Sequence, residues 1–282
     1  MQDLLSAPIV ELLHSQTRVL SARLVDSGVD PQLAVVIVGD DPASHTYVNL
    51  KKRTAVSLGI IVSIYYLEEG TLLETVRETV QFLASDPEVH GLIIQLPLPS
   101  SLRAHTDELV SLIPVEKDVD GLSVAWESSS LPDPTIANFL ENAGPALPPM
   151  IGSVISLLDH YHIPLHGKQV VLIGAGRLVG APLQTYLGQI GVNVESVDEE
   201  TPKILDRTKK ADIVVTGTGQ PELVTYQWVK EGVVVINASN DVHVDSVRQV
   251  AQAMSPAQGG VGPLTVAWLL YNTARAAGRQ NA

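Results

Sequence analysis

The chain contains no cysteine, which excludes disulfides, thiolate nucleophiles and any cysteine-ligated zinc or iron–sulfur centre. Aromatic residues are scarce at 4%, too few for a broad surface on which nucleic-acid bases could stack. Basic side chains are outnumbered, 18 against 31 acidic ones, leaving a formal net charge of −13. So negative a surface repels phosphate backbones and anionic lipid, so neither nucleic acid nor a membrane is an expected partner. No apolar run approaches the ~18 residues of a membrane span. The opening MQDLLSAPIVELLHS lacks the basic start and long apolar stretch of a secretory leader. Together these absences point to a cytoplasmic globular protein, and no metal site is expected.

What is present is aliphatic. Hydrophobic residues, mostly Val, Leu, Ile and Ala, make up 45% of 282 residues. That length suffices for one large domain or two modest ones with cores of their own. Ile9, Leu12, Leu13, Leu20 and Leu24 recur at helical spacing, and Gly28 offers a left-handed cap. Leu33–Val38 is a continuous β-branched run that reads as a strand buried on both faces. A turn at Asp40–Pro42 precedes a helix over about 44–58, closed by Gly59. A strand near 60–67, a helix near 72–84 and a strand over 91–96 follow. Strands alternating with helices in this way predict right-handed βαβ crossovers and a parallel sheet.

From Asp120 to Pro149 the chain turns rich in Ser, Pro, Ala and Asn, with weak periodicity, and reads as a loop or linker. A helix near 151–161 then leads into a second lobe, where 170–173, 192–197, 213–216 and 233–237 read as parallel strands. The final apolar stretch, 264–277, reads as a helix that packs back on the first lobe. The expected architecture is α/β and two-lobed: an N-terminal parallel α/β domain (1–148 and 264–282) and a Rossmann dinucleotide-binding domain (149–263).

The segment GKQVVLIGAGRLVGAP sets Gly174, Gly176 and Gly180 between a strand and a helix. The spacing is GxGxxxG rather than the commoner GxGxxG, but the strand–loop–helix context is the required one. Gly174 permits the tight turn, Gly176 lets backbone approach a pyrophosphate at the helix N-terminus, and Gly180 allows close helix–strand packing. Ala175 and Arg177 complete the loop. An ordinary strand–helix turn with no ligand is the alternative. Asp198 ends the next strand, about 20 residues beyond the glycines, where an acid can bind the adenosine ribose 2′-hydroxyl. With Glu199 and Glu200 beside it, a 2′-phosphate would be repelled, which favours NAD and leaves NADP possible. The alternative is a solvated acidic turn. Thr216 and Gly217 open a second glycine turn at the same sheet edge.

In the first lobe, Tyr47 and Lys51 are one helical turn apart and share a face. Gln95 ends a buried strand, and Asp118 and Asp120 lie in KDVDGL. The carboxyl ends of parallel strands form the ligand crevice of such sheets, so these groups could converge there. Each also has a bland reading, as packing, solvated tip or strand-end hydrogen bonder.

GDDPASHTYVNLKKRTAVSLGI, GLIIQLPLP, KDVDGL, VVLIGAGRLVGAP and GGVGPLTVAWLLYNT occur in the order and near the spacing of one family over almost the whole chain. The sequence resembles the bifunctional methylenetetrahydrofolate dehydrogenase/methenyltetrahydrofolate cyclohydrolase family. The resemblance implies a homodimer that binds a tetrahydrofolate derivative and a nicotinamide cofactor. It implies oxidation of 5,10-methylene-tetrahydrofolate, then hydrolysis of the methenyl product to 10-formyl-tetrahydrofolate. The family's YxxxK pair falls on Tyr47 and Lys51, its cleft glutamine on Gln95 and its pterin-binding aspartate on Asp120. Its GPxT folate loop falls on Gly262, Pro263, Leu264 and Thr265, and Ser44 matches the serine of its PAS turn. Asn237 ends the strand that carries the family's DVGIN. Lys51 is then the group that positions or deprotonates water; a base role requires a lowered pKa, which a desolvated cationic neighbourhood would provide.

The chain also departs from the family. The Arg-Ser pair that grips an NADP phosphate is replaced by Ala175-Gly176, and the basic residue after the next strand by Glu199-Glu200. PCTPxG becomes Pro148-Pro149-Met150-Ile151-Gly152-Ser153, and the segment after Asp120 is longer. Two rival readings stay open: a cyclohydrolase with weak or lost dehydrogenase activity, and a non-catalytic folate- or dinucleotide-binding homologue.

Overall fold

A computed structural model describes the chain apart from residues 41, 130, 143 and 282, with the backbone alone given for 42–47, 49 and 124. Along the chain come β1 (Gln2–Asp3), α1 (Ala7–Asp26), β2 (Gln32–Val38), α2 (Pro42–Ser57), β3 (Ile61–Leu67), α3 (Leu73–Ser85), β4 (Gly91–Ile94) and α4 (Thr106–Val110). Then follow α5 (Ile136–Glu141), α6 (Pro149–His160), β5 (Gln169–Ile173), α7 (Gly180–Gln189), β6 (Asn193–Val197), α8 (Ile204–Thr208), β7 (Ile213–Thr216), β8 (Val234–Asn237), α9 (Val244–Val247), β9 (Ala253–Met254) and α10 (Val261–Gln280).

The chain divides into two compact units, one of residues 12–128, 145–147 and 266–282, the other of residues 1–11, 129–144 and 148–265. The first is built on a parallel three-stranded sheet, ordered β3-β2-β4. β2 lies in the middle, and its side chains split by the period of two. Leu33, Val35 and Ile37 join Val48 and Ala55 of α2 and Val266, Leu269, Leu270 and Ala274 of α10 in one core. Ala34, Val36 and Val38 join Val76, Val80 and Leu83 of α3 in the other. An all-apolar strand is thus buried on both faces, and the C-terminal helix packs on the first sheet.

The second unit holds a parallel six-stranded sheet, ordered β1-β9-β8-β7-β5-β6. The chain runs from β5 outward to β6, then returns across β5 to β7 and onward. The carboxyl ends of β5 and β7 are therefore a topological switch point, where such sheets bind ligands.

The structure adds elements that local pattern did not suggest. The two-residue β1 pairs with β9, Gln2 against Ala253, placing residues 1–11 with the second sheet rather than with the first lobe. The expected linker contains α5, capped by Thr135, whose hydroxyl accepts from Asn138 N–H. Tyr186 donates to Pro132 C=O (2.9 Å) and Asp159 accepts from Ile136 N–H (2.9 Å). Phe139 meets Tyr186 edge to face. Residues 129–144 of the segment thus belong to the second unit, and its flanks at 120–128 and 145–147 to the first. Among the described residues no helix is long and apolar enough to cross a membrane.

Candidate active site

In the first unit, three of the expected residues converge. Lys51 sits on α2 with only 6% of its surface exposed. Gln95 follows β4, and its backbone N–H continues the ladder to Val36 C=O (2.8 Å). Its side-chain amide lies 2.9 Å from Leu96 C=O. A carbonyl can only accept, so that atom is Nε2 and the oxygen turns the other way. Oε1 accordingly accepts from Lys51 Nζ at 3.1 Å.

Asp120 is held in place from both sides. Asp118, itself buried, accepts from Leu122 N–H (3.2 Å) and Ser123 N–H (2.8 Å) and so shapes the turn after Asp120. Asn272 of α10 donates to Val119 C=O (3.0 Å) and Leu147 C=O (3.1 Å). Asp118 was named beside Asp120 from sequence, whereas Asn272 was not. Nothing local indicates that an asparagine in the last helix binds the backbone beside Asp120.

The electrostatics of the cluster follow from burial. Desolvation holds the Lys51 ammonium well below the ordinary lysine range, against the attraction of Asp120, which raises it. Desolvation also pushes Asp120 up, opposed by Lys51 and reinforced by Asp118. Burial outweighs mutual attraction for both partners. The desolvation expected for Lys51 is present and does the lowering, while the charge of Asp120 acts the other way.

Ser44 and Tyr47 lie on the backbone of α2, but their side chains fall outside the described residues. Gly262, Pro263 and Thr265 form the first turn of α10 rather than a loop, with Gly262 and Pro263 exposed and Thr265 Oγ1 donating to Gly262 C=O (2.7 Å). They belong to the second unit.

That unit carries the glycine loop. Gly174 has φ +100°, and a Cβ there would stand 2.9 Å from Gly217 C=O. A Cβ on Gly180 would stand 1.9 Å from Gly174 C=O. Both positions exclude larger residues because backbone meets backbone. Gly176 is different: a Cβ there would meet nothing within 4 Å. The loop is therefore tight beneath and open above, at the switch point and next to the start of α7. That shape fits a dinucleotide. Ala175 is exposed and Arg177 half-buried. Asp198 is exposed at the end of β6, its Oδ1 accepting from Thr201 Oγ1 (2.8 Å) and Glu200 N–H (3.2 Å). Lys203 is the next cation along the chain and is exposed, and Arg207 beyond it is bonded to Glu195. Thr216 and Asn237 are buried register partners at the ends of β7 and β8.

Two family models match in sequence order. Residues 4–120 match the tetrahydrofolate dehydrogenase/cyclohydrolase catalytic domain, and residues 148–281 match the NAD(P)-binding domain of the same family. The chain belongs to the tetrahydrofolate dehydrogenase/cyclohydrolase family. The matches leave residues 121–147 between them, the stretch that contains α5. Among relatives, the bifunctional protein FolD of Lactobacillus helveticus is 37% identical over 273 residues, covering 92% of this chain and 91% of that one. FolD of Nautilia profundicola is 36% identical, covering 90% and 89%. Among solved structures, the bifunctional FolD of Campylobacter jejuni superposes with a TM-score of 0.86 at 31% identity and 99% coverage of both chains. The Trypanosoma brucei family member, solved with NADP and an inhibitor, gives 0.84 at 29% identity, covering 98% of this chain and 96% of that one.

Proposed function

We infer that the chain carries both activities of its family, oxidising 5,10-methylene-tetrahydrofolate and hydrolysing the methenyl product to 10-formyl-tetrahydrofolate. The observation that carries this reading is the buried Lys51, bonded to Gln95 and electrostatically coupled to Asp120, in the unit that matches the family's catalytic domain.

In the hydrolytic step, water adds to the methenyl carbon and Lys51 Nζ takes its proton. The resulting carbinolamine collapses: its hydroxyl gives up a proton as the formyl C=O forms, the bond to N5 breaks with N5 taking up a proton in exchange, and the formyl group stays on N10. Lys51 must be neutral to act. Burial favours that form, and a bound methenyl cation favours it further by like-charge repulsion. The substrate itself thus supplies a positive neighbour. Gln95 Oε1 accepts a lysine N–H and aims the amine. Asp120 accepts from the pterin amino and ring N–H groups, and Tyr47 aligns the p-aminobenzoyl ring. Ser44 and the Gly262–Thr265 turn contribute further folate contacts.

The second unit holds the dinucleotide through Gly174, Ala175, Gly176, Arg177 and Gly180, with Thr216, Gly217 and Asn237 at the adjoining strand ends. A bound nicotinamide would supply the acceptor for the hydride leaving the methylene carbon. The chain's own task in that step is alignment. NAD is preferred over NADP, because Asp198, Glu199 and Glu200 are all exposed where a 2′-phosphate would sit and Arg207 is committed to Glu195. The protein acts as a cytoplasmic homodimer, which light scattering checks against twice the 30.2 kDa chain mass.

The test is a side-by-side assay of purified protein with methylene-tetrahydrofolate and either cofactor. Faster reduction of NAD is expected. Faster reduction of NADP would overturn the Asp198 argument. Reduction of neither, with methenyl hydrolysis intact, would make the chain a cyclohydrolase alone.

A further inference from the structure

Behind the second glycine turn lies a buried side chain that the function above does not use. Asp241 is completely buried. One oxygen of its carboxyl group, Oδ2, accepts from Thr218 N–H (2.7 Å) and from Ser239 Oγ (2.9 Å). Ser239 Oγ in turn accepts from Gly219 N–H (3.2 Å). Two successive backbone donors of the turn are therefore held, one directly and one through the serine. Asp241 N–H donates to Asn237 Oδ1 (3.0 Å), and Asp241 C=O accepts from Val224 N–H (2.8 Å).

The turn so held is one wall of the dinucleotide loop. Gly217 immediately precedes Thr218, and its carbonyl is the atom that a Cβ on Gly174 would strike. A Cβ on Gly217 would itself stand 2.5 Å from the Val179 side chain. With clearances this small, a displacement of Thr218 is passed to Gly217 and then to Gly174. Asp241 also sets a donor. A backbone N–H can only donate, so the Asn237 atom facing it is the oxygen, and Nδ2 is left without a partner among the described residues. Thr216 Oγ1, on the neighbouring register partner, is likewise unpartnered.

We propose that Asp241 is a positioning residue for the nicotinamide dinucleotide, holding the Thr218–Gly219 turn so that Gly217 backs the first glycine loop. The inference rests on the reading that this unit binds NAD or NADP. Its consequence is separable from the hydrolytic step, whose Lys51, Gln95 and Asp120 lie in the other unit.

The experiment compares Asp241→Ala and Asp241→Asn with the unaltered protein in both assays. Asp241→Ala is expected to raise the KM for NAD by about tenfold or more, with kcat for hydride transfer changed less than about threefold. Methenyl hydrolysis should stay within about twofold of the unaltered protein, because only uniform cofactor binding is lost. Asp241→Asn keeps one acceptor oxygen and should fall between. An unchanged KM for NAD in folded Asp241→Ala would overturn the proposal. So would a parallel fall of both activities with a lowered Tm in both variants, the mark of a merely structural residue. If Asp241→Ala does not fold, Asp241→Asn decides: a raised KM with intact hydrolysis supports the proposal, and an unaltered KM overturns it. Failure of the unaltered protein to reduce either cofactor would instead overturn the dinucleotide reading itself.

Discussion

The two units handle their ligands by different means. In the first, a buried lysine is set against a half-buried amide and carboxyl group, and desolvation pushes Lys51 down and Asp120 up. In the second, the proposed dinucleotide loop turns on Gly174 and Gly180, whose fit is decided by backbone clearances, and the acids at 198–200 stay exposed. A hydrolytic step needs a side chain able to take a proton near neutral pH, and desolvation provides it. A hydride step needs two partners aligned, and a rigid backbone provides that. The difference accounts for the separation of folate chemistry from dinucleotide binding in one chain.

The largest test of this contrast is Lys51→Met. Removing the amine should lower methenyl hydrolysis by about 10²–10⁴-fold, the usual worth of a general base, while part of the hydride transfer persists. Persistent hydrolysis in a coupled assay would mean that Lys51 is not the group acting on water. Gly180→Ala probes the other unit. Its Cβ would stand 1.9 Å from Gly174 C=O, so the loop must shift. Hydride transfer should fall by about 10²-fold, as expected for misplaced partners, while hydrolysis survives. An equal loss of both activities would show that the units do not act separately.

A smaller effect is expected for Asp120→Asn. The Asp120 charge raises the Lys51 pKa, so neutralising it lowers that pKa further. Hydrolysis rises with pH as Lys51 loses its proton, and this rising limb should move to lower pH in the variant. Movement to higher pH would contradict the coupling. Folate affinity should weaken in the same variant. The smallest effect on stability is expected for Gly176→Ala, whose Cβ meets open space. Stability should change by no more than about 0.5 kcal/mol, as at a surface site. A Tm loss like that of Gly180→Ala would show that the space above the loop is not open.

Much of this was readable along the chain. The strands were, because runs such as Leu33–Val38 and Val170–Ile173 are β-branched and end in glycine. Both parallel sheets followed from strands alternating with helices. Lys51, Gln95 and Asp120 were recognised because the motifs that carry them keep their order. The missed features have a common cause. β1 and β9 are two residues long and show no period. α5 interrupts a Pro- and Ser-rich stretch, and its stability comes from Tyr186 and Asp159 far along the chain. Asn272 beside Val119, and Asp241 beneath Thr218, join positions that are distant in sequence.

The sequence by itself determined the alternation of strand and helix, the glycines that the loop cannot exchange, and the family, because each is written in local residue order. Only the tertiary structure decided the rest. It turned the Gln95 oxygen toward Lys51 and brought the charge of Asp120 to act on that lysine. It also made Asp241 a completely buried tether of a glycine turn. The physical reason is that burial and hydrogen-bond partnership depend on which distant segments are packed together, and no local stretch of chain carries that information.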